Sequence, residues 1–221
     1  MRARTARNLL IIAGIAAVKV IAYRRLVHPW MDRWGATDDE VSTDLPADSL
    51  VSGVAPRVTR AVTIDAPADV VWSWLVQIGQ ERAGFYSYSW LENLAGARMH
   101  NADRVHPEWQ RRAEGDVVRL AGPYGRRAEQ VVARVEPERM LVLTSHADFD
   151  AIVAGRVADG YWGFFLRPVD AQRTRLIARG VGGSLGNPVF DVAHFVMERG
   201  MLLGIKARAE GRVRAEDHVH A

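Results

Sequence analysis

Three spacings of hydrophobic and polar positions follow one another along this chain, and each predicts a different element. The first is continuous. Leu9 to Val18 is an unbroken apolar run that carries on past Lys19 to Tyr23, with Arg2, Arg4 and Arg7 before it and Arg24 and Arg25 after it. The second is an alternation. In TRAVTID, residues 59–65, Ala61 and Thr63 fall on one face of a strand and Val62 and Ile64 on the other. The third is helical. Val71, Trp74, Leu75 and Ile78 recur at helical spacing behind Asp65-Ala66-Pro67. A helix therefore starts at the proline, takes Asp69 into its first turn and ends at Gly79.

The alternation returns further on. A second short helix over Tyr88 to Leu94, closed by Gly96, leads into strand-like segments at Asp116–Leu120, Glu129–Val135, Met140–His146, Tyr161–Pro168 and Thr174–Val181. Ala151–Val157 reads as a further strand. Gly122-Pro123, Glu136-Pro137 and Asp159-Gly160 mark turns. Asn187-Pro188 opens a long helix that runs to about Arg212, with Phe190, His194, Met197, Met201 and Ile205 along one side. The order is strand, two helices, a run of antiparallel strands, one long helix: an α+β chain. Strands alone cannot bury both faces, so the long helix lies across one of them. A curved antiparallel sheet wrapped on one helix leaves a space between the two, and the short helices close one end of it.

These spacings divide the chain into residues 1–27, an N-terminal membrane anchor; 28–57, a polar connector; 58–212, the folded domain; and 213–221, a polar tail. Fifteen residues of helix reach about 22 Å, short of the ~30 Å hydrocarbon core. The stems of Lys19, Arg24 and Arg25 make up the difference by reaching toward the headgroups. The expectation is a single-pass helix that holds the domain at a membrane. Asp38, Asp39 and Glu40 read as a solvated charge run, and Trp30 and Trp34 as residues of the membrane interface or of the domain surface.

Charge changes one part of this picture. The chain has 29 Lys and Arg against 26 Asp and Glu, a net charge of +3. Residues 1–35 hold seven of the basic residues and one acidic residue, which leaves a net −3 on the rest. The basic character belongs to the N-terminal segment, and no nucleic-acid partner is expected for the domain. Cysteine is absent, which excludes disulfides, thiolate nucleophiles and Cys-ligated metals. His100, Asp103 and His106 are spaced three apart, but the loop-like composition around Pro107 does not hold them on one helix face. Neither a metal nor a cofactor is expected. The loop GVGGSLGNP, residues 180–188, lacks the Lys-Ser/Thr of a phosphate-binding loop and reads as a crossover into the long helix.

The element order, with IDAPADVVWSWLVQIG opening it and FVMERGMLLGIKARAE closing it, resembles the START-like, or polyketide cyclase/dehydrase-like (SRPBCC), superfamily over about residues 58–212. WGATDDE, LVQIGQERAGFYSYSWLEN, YWGFFLRP and GIKARAE are similar to a bacterial branch of it. The resemblance implies a helix-grip fold and a hydrophobic ligand cavity. The superfamily spans lipid and sterol carriers, hormone receptors, cyclases and oxygenase subunits, so the fold does not choose among them.

Candidate residues come from the positions that would line that cavity. Six of the eighteen Phe, Trp and Tyr residues fall between Trp72 and Trp90. Trp74 belongs to the core face of its helix. Tyr86, Tyr88 and Trp90, with Glu92 next in the alternation, read as a polar-tipped aromatic mouth. On the strand Tyr161–Pro168, Trp162 and Phe164 share a face directed at the long helix, where Met197 and Met201 supply plastic apolar surface. Arg179, between Ile177 and Val181, needs a carboxylate such as Glu92 or Glu198, or an anionic ligand headgroup, if its face is inside; if that face is outside it is an ordinary surface residue. Should the cavity be catalytic, His146, His194 and Glu92 are the groups to move protons. The expected function is reversible binding, transfer or sensing of a small hydrophobic or amphipathic ligand such as a lipid. The alternatives are a cyclase- or dehydrase-like enzyme, or a structural module with a filled core.

Overall fold

The computed structural model describes residues 18–212 except 54, 95 and 97, together with Gly14. Nothing is stated for the side chains of residues 91, 92, 94 and 122–124, and the expected polar tail lies outside the described residues.

Two short helices, α1 (His28–Asp32) and α2 (Asp38–Ser42), precede the first strand. The strands are β1 (Arg57–Ile64), β2 (Val117–Arg119), β3 (Glu129–Glu136), β4 (Met140–Thr144), β5 (Tyr161–Asp170) and β6 (Arg173–Val181). Helices α3 (Ala68–Leu75) and α4 (Ser89–Leu94) follow β1, α5 (His146–Val153) follows β4, and α6 (Pro188–Ala209) closes the fold. The six strands form one antiparallel sheet in the order β1-β6-β5-β4-β3-β2. This is an α+β fold with a long C-terminal helix across the sheet, an arrangement compatible with a helix grip.

Strand alternation sends side chains to two separate cores. Val62, Ile64, Leu141, Leu143, Phe164, Leu166, Leu176 and Ala178 face α3 and α6, where Val71, Leu75, Met201, Leu202 and Ile205 complete the packing. Ala61, Met140, Val142, Phe165 and Ile177 face the other way. The second face of an antiparallel sheet is commonly left to water. Here Leu45, Ala47, Leu50 and Val51 cover it, so the stretch read as a polar connector supplies an outer core. Glu40 is likewise not solvated. It closes a capping box with Thr37 at the start of α2 and takes both Nε and Nη2 of Arg175, each at 2.7 Å.

Residues 146–153 differ from the sequence expectation in kind. The Ser145 side chain accepts the Asp148 N–H and caps α5, so His146 begins a helix rather than ending a strand. That helix takes in the first three residues of the expected strand Ala151–Val157, and Gly155 follows it at φ +70°. A short apolar run bounded by a serine cap is satisfied locally as a helix without a neighbouring strand.

The expected membrane anchor is corrected. Among the described residues no helix is long and apolar enough to cross a membrane. Residues 9–13 and 15–17 of the apolar run lie outside the described residues. From Val18 the helix carries Lys19, Arg24 and Arg25 and passes through a π-helical turn, Tyr23–Val27, into α1. That helix docks on the domain. His28 Nε2 lies 3.1 Å from Asp191 Oδ2, the Trp30 ring meets Phe195 edge-on at 5.2 Å, and the Met31 carbonyl accepts Arg60 Nε at 2.7 Å.

Candidate functional site

A cavity of about 590 Å³ lies between the sheet and α6, where β5 begins and β6 ends. Three parts of the chain build its wall. The first turns of α6 present Phe190, His194, Met197, Glu198 and Met201. Trp162 comes from β5, and Phe85 from the loop between α3 and α4. The crossover 180–185 forms the rim. Asn187 starts α6 at that point because its side chain accepts the N–H groups of Val189 and Phe190. Gly182 at φ +66° lets the rim fold tightly, since a Cβ there would sit 1.8 Å from the Asp159 carbonyl oxygen.

Most of the wall is apolar and aromatic. Trp162 stacks on Phe85 at 6.2 Å and meets Phe164 edge-on at 4.8 Å, and Phe190 stacks on His194 at 5.4 Å. The floor is polar. Arg60 on β1 is fully buried and its Nη1 donates to Glu198 Oε2 at 2.6 Å. Trp162 Nε1 donates to the other carboxylate oxygen, Oε1, at 2.5 Å. Arg60 Nη1 also lies 3.2 Å from His194 Nδ1, and Phe195 packs its ring over the guanidinium at 5.3 Å. Burial by itself would raise the Glu198 pKa, but the charge of Arg60 and the hydrogen bonds from Arg60 and Trp162 hold it below the usual value. Burial pushes the His194 pKa down; the Glu198 charge opposes this, Arg60 adds to it, and the net shift is downward. Glu198 and His194 are therefore polar groups of the cavity floor, and the Arg60 guanidinium lies buried behind them.

The structure brings together four of the expected residues. Trp162, Met197, Met201 and His194 all line the cavity, while Phe164 is fully buried just behind Trp162. The expected aromatic mouth does not form as one unit. Tyr86 is buried at φ +56°, and its hydroxyl donates to the Trp74 carbonyl at 3.0 Å and accepts from Gln77 Nε2 at 2.8 Å. Arg208 lies 4.7 Å over its ring, and burial pushes the phenol pKa up. Tyr86 locks α3 to α6 and is not a gate. Tyr88 and Trp90 are exposed away from the cavity wall, because α4 starts at Ser89 and ends the alternation that grouped them. The Glu92 side chain lies outside the described residues.

Arg179 is also elsewhere. In the β5–β6 register Trp162 pairs with Gly180 and Gly163 with Arg179, so Arg179 points to the sheet face opposite Trp162. There its Nη1 donates to Asp48 Oδ2 at 2.5 Å, its Nε to Thr59 Oγ1 at 3.1 Å, and its Nη2 to the Glu40 carbonyl at 2.5 Å. Its partner is neither Glu92 nor Glu198. His146 Nε2 meets Glu129 Oε2 at 3.0 Å, and the imidazole is not part of the cavity wall.

Sequence reasoning missed Arg60, Phe85 and the cavity role of Glu198. Two of them left a signal. Arg60 shares a strand face with Val62 and Ile64, an apolar face on which a charge demands a partner. Glu198 stands one helical turn after His194.

No family model and no curated protein matches the chain. Solved structures of similar fold include a protein from Staphylococcus saprophyticus, 13% identical, covering 73% of this chain and 96% of its own at a TM-score of 0.45. An aromatase/cyclase from a Streptomyces species is 19% identical, covering 74% and 98%, at a TM-score of 0.39. A polyketide-cyclase-like protein from Corynebacterium glutamicum is 14% identical, covering 76% and 100%, at a TM-score of 0.37. Likenesses this distant say nothing of what the chain binds.

Proposed function

We propose that the chain reversibly binds a small apolar or amphipathic molecule, such as a lipid or an aromatic compound, in the cavity between the sheet and α6. The observation that carries this reading is the cavity itself. Its volume of about 590 Å³ falls within the ~300–1,000 Å³ of small-molecule sites. It combines aromatic and thioether walls with a few convergent polar groups, as such sites do. A filled core, the reading of a purely structural module, has no such space. The two methionines suit a wall that accommodates varied apolar shapes. The test is native mass spectrometry of gently purified protein, together with thermal-shift titration against a panel of lipids and aromatic compounds. A protein that comes out empty, and whose melting temperature no member of the panel raises, refutes the reading.

One observation favours an enzyme as a second reading: His194 faces the cavity beside an ionised carboxylate, which is the geometry of a proton-transfer pair. On that reading a bound substrate leaves with a changed mass. Recovery of every bound compound unaltered after long incubation removes it.

A further inference from the structure

Resting on the binding reading above, the geometry of the cavity floor points to the polar group its ligand carries: we infer that His194 and Glu198 together recognise a hydroxyl on an otherwise apolar molecule. The first step is the tautomer of His194. A guanidinium only donates, so the 3.2 Å contact from Arg60 Nη1 makes His194 Nδ1 an acceptor. The ring proton then sits on Nε2. The nearest carboxylate oxygen to that nitrogen, Glu198 Oε1, is 3.6 Å away, longer than a hydrogen bond. His194 thus has a donor to spare on a ring that lines the cavity.

Glu198 has acceptors to spare. Its carboxylate offers about four lone-pair directions. Arg60 takes one on Oε2 and Trp162 takes one on Oε1. Any ligand atom that meets Oε1 has to bring a proton. Two atoms 3.6 Å apart can both lie about 2.8 Å from one oxygen. A single oxygen placed there accepts from His194 Nε2 and donates to Glu198 Oε1. Among the headgroups of apolar ligands near neutral pH, a hydroxyl does both, whether it belongs to an aliphatic alcohol or to a phenol.

The same floor rejects other headgroups. A carboxylate has no proton to give and is repelled by Glu198. A ketone takes the His194 proton but offers nothing to Oε1. An ammonium finds Glu198 already neutralised by Arg60, so burying its charge goes uncompensated.

Binding of two ligand series to the full chain at about pH 7.5 tests this: naphthol, naphthalene and naphthoate, then decanol, decane and decanoate. The readout is calorimetry. Each hydroxyl compound is expected to bind about tenfold or more tighter than its hydrocarbon and its carboxylate, the effect of one to two satisfied hydrogen bonds. The two series tell a phenol from an aliphatic alcohol. His194→Phe keeps a flat ring against Phe190, and in it the naphthol-to-naphthalene ratio falls toward one. Equal affinities within both series overturn the hydroxyl inference and leave cavity binding standing. Absence of binding by all six compounds overturns the binding reading together with it.

Discussion

Arg60 on β1 and Glu198 on α6 are joined by a 2.6 Å hydrogen bond under the cavity, with side-chain exposures of 0% and 1%. The pair fastens the long helix to the sheet's edge strand at the point where the two separate to leave the cavity. A buried ion pair contributes little net stability, because desolvating both charges offsets their attraction, but breaking it strands a charge. Arg60 Nη2 has no hydrogen-bond partner among the described residues, so this site already bears an unmet cost.

Removing one partner is therefore expected to hurt more than removing both. Arg60→Ala or Glu198→Ala should lose about 3–5 kcal/mol, while Arg60→Met combined with Glu198→Met should stay within about 1–2 kcal/mol of the parent. Urea unfolding of the three proteins measures this directly. A double variant as unstable as the singles would show that the pair is a net source of stability.

The pH dependence follows from two shifts of opposite chemistry and the same sign. Glu198 has a folded pKa below the ordinary carboxylate range, so its contribution is present above that range and is lost as pH falls through the folded pKa. His194 has a folded pKa below that of a free imidazole, about 6.5, so the unfolded chain binds the proton more readily. Stability from His194 is full above about pH 6.5 and declines as pH falls below it, until the folded ring also protonates. Melting temperature should drop between about pH 7 and 5, and His194→Phe should flatten that upper part of the curve. An unchanged slope in the variant would assign the drop to other groups.

Gly204 marks where α6 passes closest to the loop before α4. A Cβ at this position would lie 2.0 Å from the Tyr86 carbonyl oxygen. Gly204→Ala gains about 1 kcal/mol of helix propensity. It must also push apart backbone held by the Tyr86 lock, and the net loss should be about 1–3 kcal/mol. Gly53→Ala, with nothing within 4 Å, is the control. Differential scanning calorimetry of both variants shows whether the loss belongs to the close approach at Gly204 or follows any added methyl group.

On the opposite face, Asp48 joins Arg179 to residues 43–51. Burial would raise the Asp48 pKa, yet hydrogen bonds from Tyr161 and the Leu45 N–H, with the charges of Arg179 and Arg57, hold it below the usual range. Asp48→Ala leaves Arg179 buried without its carboxylate and should cost about 3–5 kcal/mol. Amide exchange should accelerate first across residues 43–51, because their cover over the outer core depends on this contact. Uniform acceleration throughout the chain would mean that the segment and the sheet open as one unit.

Filling the cavity should abolish binding with little effect on the fold. Met197 is half-buried on the wall. Met197→Trp adds bulk into open space and should change stability by less than about 1.5 kcal/mol. Native mass spectra should then show the ligand-free mass alone. Retained ligand would place the binding site elsewhere.

The alternation of two in 59–65 and 161–181, and the helical spacing of Val71, Trp74, Leu75 and Ile78, were enough to give the main elements of the α+β order. Each such period is a local property that any packed structure has to satisfy. Trp162, Met197, Met201 and His194 were legible for the same reason, since a known period fixes which residues share a face.

Sequence could not say what covers a face, or where a period breaks. Arg179 was assigned to the correct strand, but its setting depends on residues 43–51, whose distance along the chain hides that they lie against it. Tyr86, Tyr88 and Trp90 looked equivalent at a spacing of two until a left-handed Tyr86 and a helix starting at Ser89 sent them to different surroundings. Arg60 and Glu198 stand 138 residues apart. Sequence by itself determined most of the strands and the helices with a clear period, because hydrophobic periods are written in neighbouring residues. Only the tertiary structure decided the site, because a buried charge finds its partner through space.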